Sequence, residues 1–504
     1  MARSKDSIVL FPFMAQGHLI PFLALAQKLH QTTNCTIFFV NTPLNIRKLS
    51  SSIPPDSDIH LLEIPFNGVT DYGLPPNAEN TDSLPYDLIL LFLEATLSLK
   101  PSFNHFLSNL IRDQNGRKPL CIVSDFFFPW CAEVAREFGV FHVTFSGSSS
   151  FGFACYYSIC LNLPHRSSEP DEYFTLPDFP EASKFHVTQL AEHIRAADGK
   201  DQFSRFIQRV FHMLGEADGI LFNTVEELDL IGLNYFRRKF KYPVWPIGPV
   251  LLTAERSARA GMKQAGITTE LLKKWLDSKP DNSVLYVSFG SQNTISAQQM
   301  LELAMALESA GKNFVWVVRP PVGFDINSEF DAKKWLPEGF EERVSESKIG
   351  LLIKKWAPQV DILSHKSVGA FLSHCGWNSV LEALSHGVPI LGWPMAAEQF
   401  YNVKILEDEI GVCVELARGK TSEVRHEAMA AKIETVMNQM TGKGKEMRRR
   451  AGEVKETTRK ANEDDEGFKG SSVKAMDEFL NAALGMRERM EKENGRLSLL
   501  HQKT

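Results

Sequence analysis

The chain has 504 residues, 43% of them hydrophobic, and a formal net charge of -6. That is too long for one ordinary core and enough for two. Its basic residues are dispersed, which excludes the broad cationic face that nucleic acid or an acidic membrane selects. Small-molecule or protein partners are favoured instead.

The N-terminal MARSKDSIVLFPFMAQGH starts basic, but its apolar run breaks at Pro12 and leads into a strand-turn-helix pattern. It reads as the first strand of a domain and not as a signal peptide. The triplet Asn34-Cys35-Thr36 therefore carries little weight as a glycosylation site. No apolar stretch approaches the roughly 20 residues that span a bilayer. The seven cysteines, Cys35, Cys121, Cys131, Cys155, Cys160, Cys375 and Cys413, form no CxxC pair and mostly sit in apolar runs. Reduced, buried thiols in a cytoplasmic protein are expected.

Short apolar runs then alternate with helical patterns: SIVLFPF before LIPFLALAQKLHQ, CTIFFVNT before LNIRKLSS, PLCIVSDFF before PWCAEVAREFG, VFHVTFSG before SSFGFACYYSICLNL. Such alternation predicts a parallel sheet wound on both faces. The rhythm falters over about 161–200, resumes at DGILFNTVEELD, and meets the proline-rich YPVWPIGPVL. A second alternating series runs from SVLYVSFGS through NFVWVVRP, GLLIKKWAP, VGAFLSHCG and VPILGWP to VCVEL. The expected organisation is a domain over 1–250, a linker over 251–268, a second domain over 269–485 and a flexible tail over 486–504. Two Rossmann-like, doubly wound α/β domains would face each other across a cleft.

Several motif-like stretches fail on spacing. GxGxxG is absent, which weakens a NAD or FAD reading. Gly419-Lys420-Thr421 resembles the end of a P-loop, but Val414 stands where a glycine is required. Ser146-Gly147-Ser148-Ser149-Ser150-Phe151 follows a strand as a nucleophile elbow would, yet its second glycine, Gly152, comes one place late. Asp56-Ser57-Asp58 has the spacing of a metal-binding DxD, but a solvated, proline-bounded turn before a strand is the stronger account.

The stretch HCGWNSVLE at 374–382 carries the chemistry. Val368 to Leu372 read as a strand, Gly376 as a turn and Trp377 to Leu384 as a helix whose N-terminus would favour a phosphate. His374, Asn378 and Ser379 add side-chain donors at that end, making a diphosphate site that needs no metal. Glu382, four residues after Asn378, lies one turn deeper, placed for ribose hydroxyls. A helix cap for Asn378 and Ser379, a core histidine for His374 and a surface carboxylate for Glu382 are the plain alternatives. Each would win alone; together on one turn they are the weaker account.

The unbroken segment WAPQVDILSHKSVGAFLSHCGWNSVLEALSHGVPILGWPMAAEQ, from Trp356 to Gln399, resembles the signature box of plant secondary-product UDP-glycosyltransferases. FPFMAQGHLIP, FNTVEELD, PIGPV, WLDSKPDNSVLYVSFGS and LPEGFEERV also look familial, so the resemblance covers about 7–485. It implies the GT-B fold, with acceptor bound by the N-terminal domain and UDP-sugar by the C-terminal one. By matching position, Trp356 would stack on uracil, and the Ala357 backbone and Gln359 would bond base and ribose. Glu382 would hold the ribose, and Ser291, His374, Asn378 and Ser379 the diphosphate. Trp377, Glu398 and Gln399 would face the sugar. The family more often has Asp at the place of Glu398, and a terminal Gln399 implies glucose over galactose.

In the N-terminal half, Gln16-Gly17-His18 follows the first strand, and Pro21 is expected in the first turn of the next helix, where its missing N–H does no harm. Transfer to an alcohol needs a base near neutral pH, a task that suits imidazole. Asp125 ends LCIVSD and is a plausible carboxylate to orient it. From residues alone a distant His and Asp mean little; the resemblance implies that His18 and Asp125 are the catalytic pair. It also points to His18 and Ala397 as acceptor contacts. Phe126, Phe127, Phe128, Trp130, Phe145, Phe151, Phe153, Tyr156 and Tyr157 suit a flat phenolic acceptor, though core packing explains any one of them better.

The expectation is an inverting, metal-independent UDP-glucosyltransferase without cofactor, a monomer acting on a small lipophilic plant metabolite, phenolic or flavonoid first and terpenoid next. Competing readings are a transferase that extends an existing glycoside, a non-catalytic nucleotide-sugar sensor, for which retention of His18 and Asp125 would be superfluous, and a nucleotide-sugar epimerase.

Overall fold

The computed structural model describes residues 5–54, 57–167, 172–252 and 266–501. Asp56 of the DxD reading and most of the linker lie outside them. The chain divides into two compact units, one drawn from Met1–Ser150, Ala197–Leu252 and Ala461–Thr504, the other from Phe151–Ala196 and Thr253–Lys460.

The strands in chain order are β1 (Ser7–Phe11), β2 (Thr36–Asn41), β3 (Ile59–Glu63), β4 (Cys121–Asp125), β5 (Phe141–Ser146), β6 (Tyr173–Thr175), β7 (Lys184–His186), β8 (Gly219–Phe222) and β9 (Val244–Pro246). They continue with β10 (Val284–Ser288), β11 (Asn313–Val318), β12 (Gly350–Lys354), β13 (Val368–Ser373), β14 (Ile390–Gly392) and β15 (Cys413–Glu415). The first unit holds a seven-stranded sheet of order β3-β2-β1-β4-β5-β8-β9, and the second a six-stranded sheet of order β12-β11-β10-β13-β14-β15. Every neighbouring pair in both is parallel. All residues of β1, β4, β5, β10 and β13 are buried, as strands covered by helices on both faces must be. This is the doubly wound architecture expected. In each sheet the strand order reverses at one place, between β1 and β4 and between β10 and β13, where such sheets place ligands.

Two boundaries differ from the sequence reading. Residues 151–196 group with the second unit, where Phe185 packs edge-on to Tyr401 with ring centroids 5.7 Å apart and Arg418 donates to Thr188. Residues 461–504 group with the first. There residues 486–501 of the expected tail continue one helix, Ser471–His501, and the rest of it lies outside the described residues. Phe479 packs on Trp245 of β9, and Arg487, in the charged stretch, pairs with Asp6.

Most of the aromatics around β4 are core. Phe11 stacks on Phe103 at 4.8 Å and meets Phe128 at 4.7 Å, while Trp130 closes on Phe103 at 5.9 Å. Ser146, Ser149 and Ser150 are fully buried, and Ser150 donates its backbone N–H to Asp229, so none is an exposed nucleophile. All seven cysteines are buried and none is joined in a disulfide.

Candidate active site

The helix Gln16–Thr32 leaves β1 through a turn in which the His18 and Leu19 N–H groups donate to the Ala15 carbonyl. Pro21 falls one turn deeper than expected, inside the helix, where the Gly17 carbonyl cannot receive the usual i→i−4 bond from it. His18 is thereby raised at the C-terminal edge of the sheet, next to the last residue of β4. Its Nδ1 lies 2.7 Å from Asp125 Oδ2, which joins the two residues separated by 107 positions.

The environments of the pair differ. The His18 side chain is 25% exposed and that of Asp125 only 1%. The other carboxylate oxygen, Oδ1, accepts the Phe127 N–H at 3.1 Å, so the carboxylate is fixed from both sides. Phe13, Phe126 and Phe127 stand around the imidazole with centroids 5.3, 5.8 and 5.6 Å from it. A carboxylate on Nδ1 sets the tautomer with the proton on that nitrogen and directs Nε2 toward substrate. Of the aromatics singled out in the sequence, Phe126 and Phe127 are the ones beside His18.

In the second unit, β13 ends at Ser373 and the helix Trp377–Ser385 begins at an extended Gly376 that has no side chain to cap it. Between them Cys375 adopts φ +61°, a strained value for a non-glycine residue, held because its N–H bonds Ser373 Oγ and its carbonyl accepts from Asn402 Nδ2, each at 3.0 Å. His374 is wedged between two glycines. A Cβ on Gly290 would lie 2.6 Å from its Cε1, and one on Gly376 2.6 Å from its Nε2. Burial, then the charges of Arg319 and Lys420, push the His374 imidazole down to about 4, so it is neutral at pH 7.

Gln359 opens the helix Gln359–Ser364 and links several predicted residues. Its Nε2 donates to Ser379 Oγ at 2.9 Å and to Glu382 Oε2 at 2.7 Å, while its Oε1 accepts from the Tyr286 hydroxyl at 3.3 Å. Burial lifts the Glu382 carboxyl to about 7, against the opposing pull of the Gln359 bond. That is the state of a carboxylate short of donors, which the hydroxyls of a ribose would supply. Ala357 is buried, and Trp356, half-buried, accepts the Gly266 N–H at 2.8 Å.

Glu398 precedes the helix Gln399–Lys404, and Ala397 before it takes φ +49°. Gln399 Oε1 accepts the N–H groups of Met395 and Ala396, both at 3.0 Å, so the side-chain amide nitrogen is the part it can offer a ligand. Asn402 reaches both the Cys375 carbonyl and, at 3.5 Å, Glu398. Ser291 follows β10, and its carbonyl accepts from Arg319 Nη1 at 2.6 Å. The sequence reading missed Asn402, Arg319 and Gly290. Asn402 was legible in principle, because it stands four residues after Glu398 on one helix face.

The described residues contain no group of three or more His, Cys, Asp or Glu side chains able to hold a metal. Asp58, the described acid of the DxD spacing, is bonded to Lys5, Thr36 and His60. No helix among the described residues is long and apolar enough to cross a membrane.

Residues 200–450 match the family model of UDP-glucoronosyl and UDP-glucosyl transferases, and residues 5–251 that of the glycosyltransferase N-terminal domain. These matches and the two doubly wound units define a GT-B glycosyltransferase that uses a UDP-sugar. UDP-glycosyltransferase 92A1 of Arabidopsis thaliana is 52% identical over 493 residues, covering 96% of this chain and 99% of that protein. Crocetin glucosyltransferase 3 of Crocus sativus is 44% identical over 428 residues, 83% of this chain and 89% of its own length. The crystal structure of UGT73P12 of Glycyrrhiza uralensis, complexed with glycyrrhetinic acid 3-O-monoglucuronide, superposes with a TM-score of 0.84 at 28% identity, over 99% of this chain and 100% of that one. The chain belongs to the plant UDP-glycosyltransferase family, enzymes that transfer a sugar from UDP to small metabolites.

Proposed function

We propose that the protein is an inverting UDP-glucose-dependent O-glucosyltransferase acting on a hydroxyl of a small lipophilic plant metabolite, a phenolic first and a terpenoid next. The observation that carries this is the His18–Asp125 pair, a partly exposed imidazole on a sealed carboxylate at the point where the strand order reverses. His18 takes the proton of the acceptor hydroxyl on Nε2, and Asp125 stabilises the imidazolium. The acceptor oxygen forms a bond to the anomeric carbon as the bond from that carbon to the UDP oxygen breaks, and the electron pair leaves on UDP. One in-line displacement on an α-linked donor gives a β-glucoside.

On the donor unit, Trp356, Ala357 and Gln359 hold uracil and ribose together with Glu382. Ser291, His374, Asn378 and Ser379 hold the diphosphate at the uncapped helix, and Trp377, Glu398 and Gln399 face the sugar. His374 donates as a neutral imidazole. His18, Phe126, Phe127 and, by family position, Ala397 contact the acceptor. No metal or other cofactor is assigned to the reaction, because helix and side-chain donors receive the leaving group. The name of the Crocus relative supports glucose. The ligand of the Glycyrrhiza structure, itself a glucuronide, favours a second reading in which the acceptor is an existing glycoside. Buried cysteines outside any disulfide fit a reducing compartment, and we assign the enzyme to the cytoplasm as a monomer.

The test is a product screen with UDP-glucose against phenolic, terpenoid and glycosylated acceptors, with other UDP-sugars as controls and EDTA in parallel. A β-configured glucoside by proton NMR, formed equally with EDTA, is expected. An α-linked product, or turnover abolished by EDTA and restored by a divalent cation, would contradict it.

A further inference from the structure

A metal-independent donor site must balance the charge that develops on the departing diphosphate, and Ser291, His374, Asn378 and Ser379, which hold it, are all neutral. His374 is uncharged at pH 7, its Nδ1 sealed from solvent with no hydrogen-bond partner. The N-terminus of the helix contributes only about half an elementary charge. Two cations, Arg319 and Lys420, act on His374, and Arg319 is the one bonded to the Ser291 turn.

Arg319 directly follows β11, beside β10 in the sheet, and is half-buried. Its Nη1 donates to the Ser291 carbonyl at 2.6 Å. Ser291 closes the turn after β10, in which Gly290 takes φ +77° and backs directly onto the His374 ring. The guanidinium thus grips the turn that presses on His374. Its field reaches both His374 and Tyr286, the hydroxyl that orients Gln359. A fixed cation with a planar fork suits this task better than a flexible ammonium.

We propose that Arg319 is a positioning residue for the donor diphosphate: it holds the Phe289–Ser291 turn against His374 and supplies the fixed positive charge that the departing UDP oxygen requires. The inference rests on the UDP-sugar reading above. It separates charge balance from hydrogen bonding in this site, with the arginine providing the first and the helix 377–385 the second.

The experiment is calorimetric titration of the wild type, Arg319→Met and Arg319→Lys with UDP and, separately, with uridine, at pH 8, where His374 is neutral. Arg319→Met is expected to lose at least about tenfold in UDP affinity while its uridine affinity stays within about twofold of wild type, and Arg319→Lys to recover part of the loss. Equal losses with both ligands in both variants, or no loss with either, would overturn the proposal. A wild type that does not prefer UDP to uridine would instead overturn the donor reading, and this inference with it. The two failures therefore appear in different samples.

Discussion

In the seven-stranded sheet, His18 stands just after β1 and Asp125 ends β4; in the six-stranded sheet, Ser291 stands after β10 and His374 after β13. Both sets occupy the place where strand order reverses, so the same winding supplies two sites. Their construction differs. The first is built around the 2.7 Å bond from His18 to Asp125, with the Phe127 N–H supporting the carboxylate, and the second is a connected set in which Gln359, Ser379, Glu382 and Tyr286 share bonds, with Asn402 pinning the turn beside them. The difference suits the proposed tasks. Proton transfer needs one base in one tautomer, so a single carboxylate suffices and its loss is severe. Holding a nucleotide diphosphate distributes the work over many donors, so the loss of one is partial.

Asp125→Asn should break the comparison most sharply. The amide no longer fixes the tautomer or stabilises imidazolium, and kcat is expected to fall by about 10²- to 10⁴-fold. Donor affinity, measured by titration with UDP, should stay unchanged, because the carboxylate lies in the other unit from the nucleotide residues.

Next in size is Gly376→Ala. Gly376 has φ -60°, so alanine brings no backbone strain, but its Cβ would lie 2.6 Å from His374 Nε2. The ring must move, at about 1–3 kcal/mol, and UDP should bind about 5- to 150-fold more weakly. Unchanged binding would show that His374 does not need its wedge.

The smallest effect sharpens the comparison through pH. In the unliganded protein Glu382 is protonated below about 7 and charged above. Relative to an ordinary glutamate, this contributes stability to the fold that is lost as pH rises through that value. Ribose hydroxyls donate to the charged form, so binding releases the proton and affinity rises with pH up to about 7, then levels. UDP-glucose, whose diphosphate does not titrate in this range, should bind up to about tenfold more tightly per pH unit below 7. In Glu382→Gln the slope should vanish, with only a modest loss at pH 8.

The secondary structure around the proposed donor residues was largely legible because most of them lie in one contiguous stretch. Trp356 to Gln399 span two strands and three helix starts, at Gln359, Trp377 and Gln399. Arg319 escaped because its role depends on a carbonyl 28 residues earlier, across two paired strands. Strand rhythm revealed both sheets, yet the short β9 was obscured by prolines, and the grouping of 151–196 and 461–504 depends on distant contacts such as Phe185 with Tyr401 and Trp245 with Phe479. Periodicity carries no information about such pairings. His18 and Asp125 could be named only through resemblance; the geometry now gives a reason, since 107 residues of chain return Asp125 beside β1.

The central claim is that proton transfer belongs to one unit and donor binding to the other. The most direct test is His18→Ala, with turnover and UDP affinity measured on the same preparation. The account predicts kcat reduced by about 10²- to 10⁴-fold with UDP affinity within about twofold of wild type. A folded His18→Ala enzyme that keeps most of its turnover would contradict it.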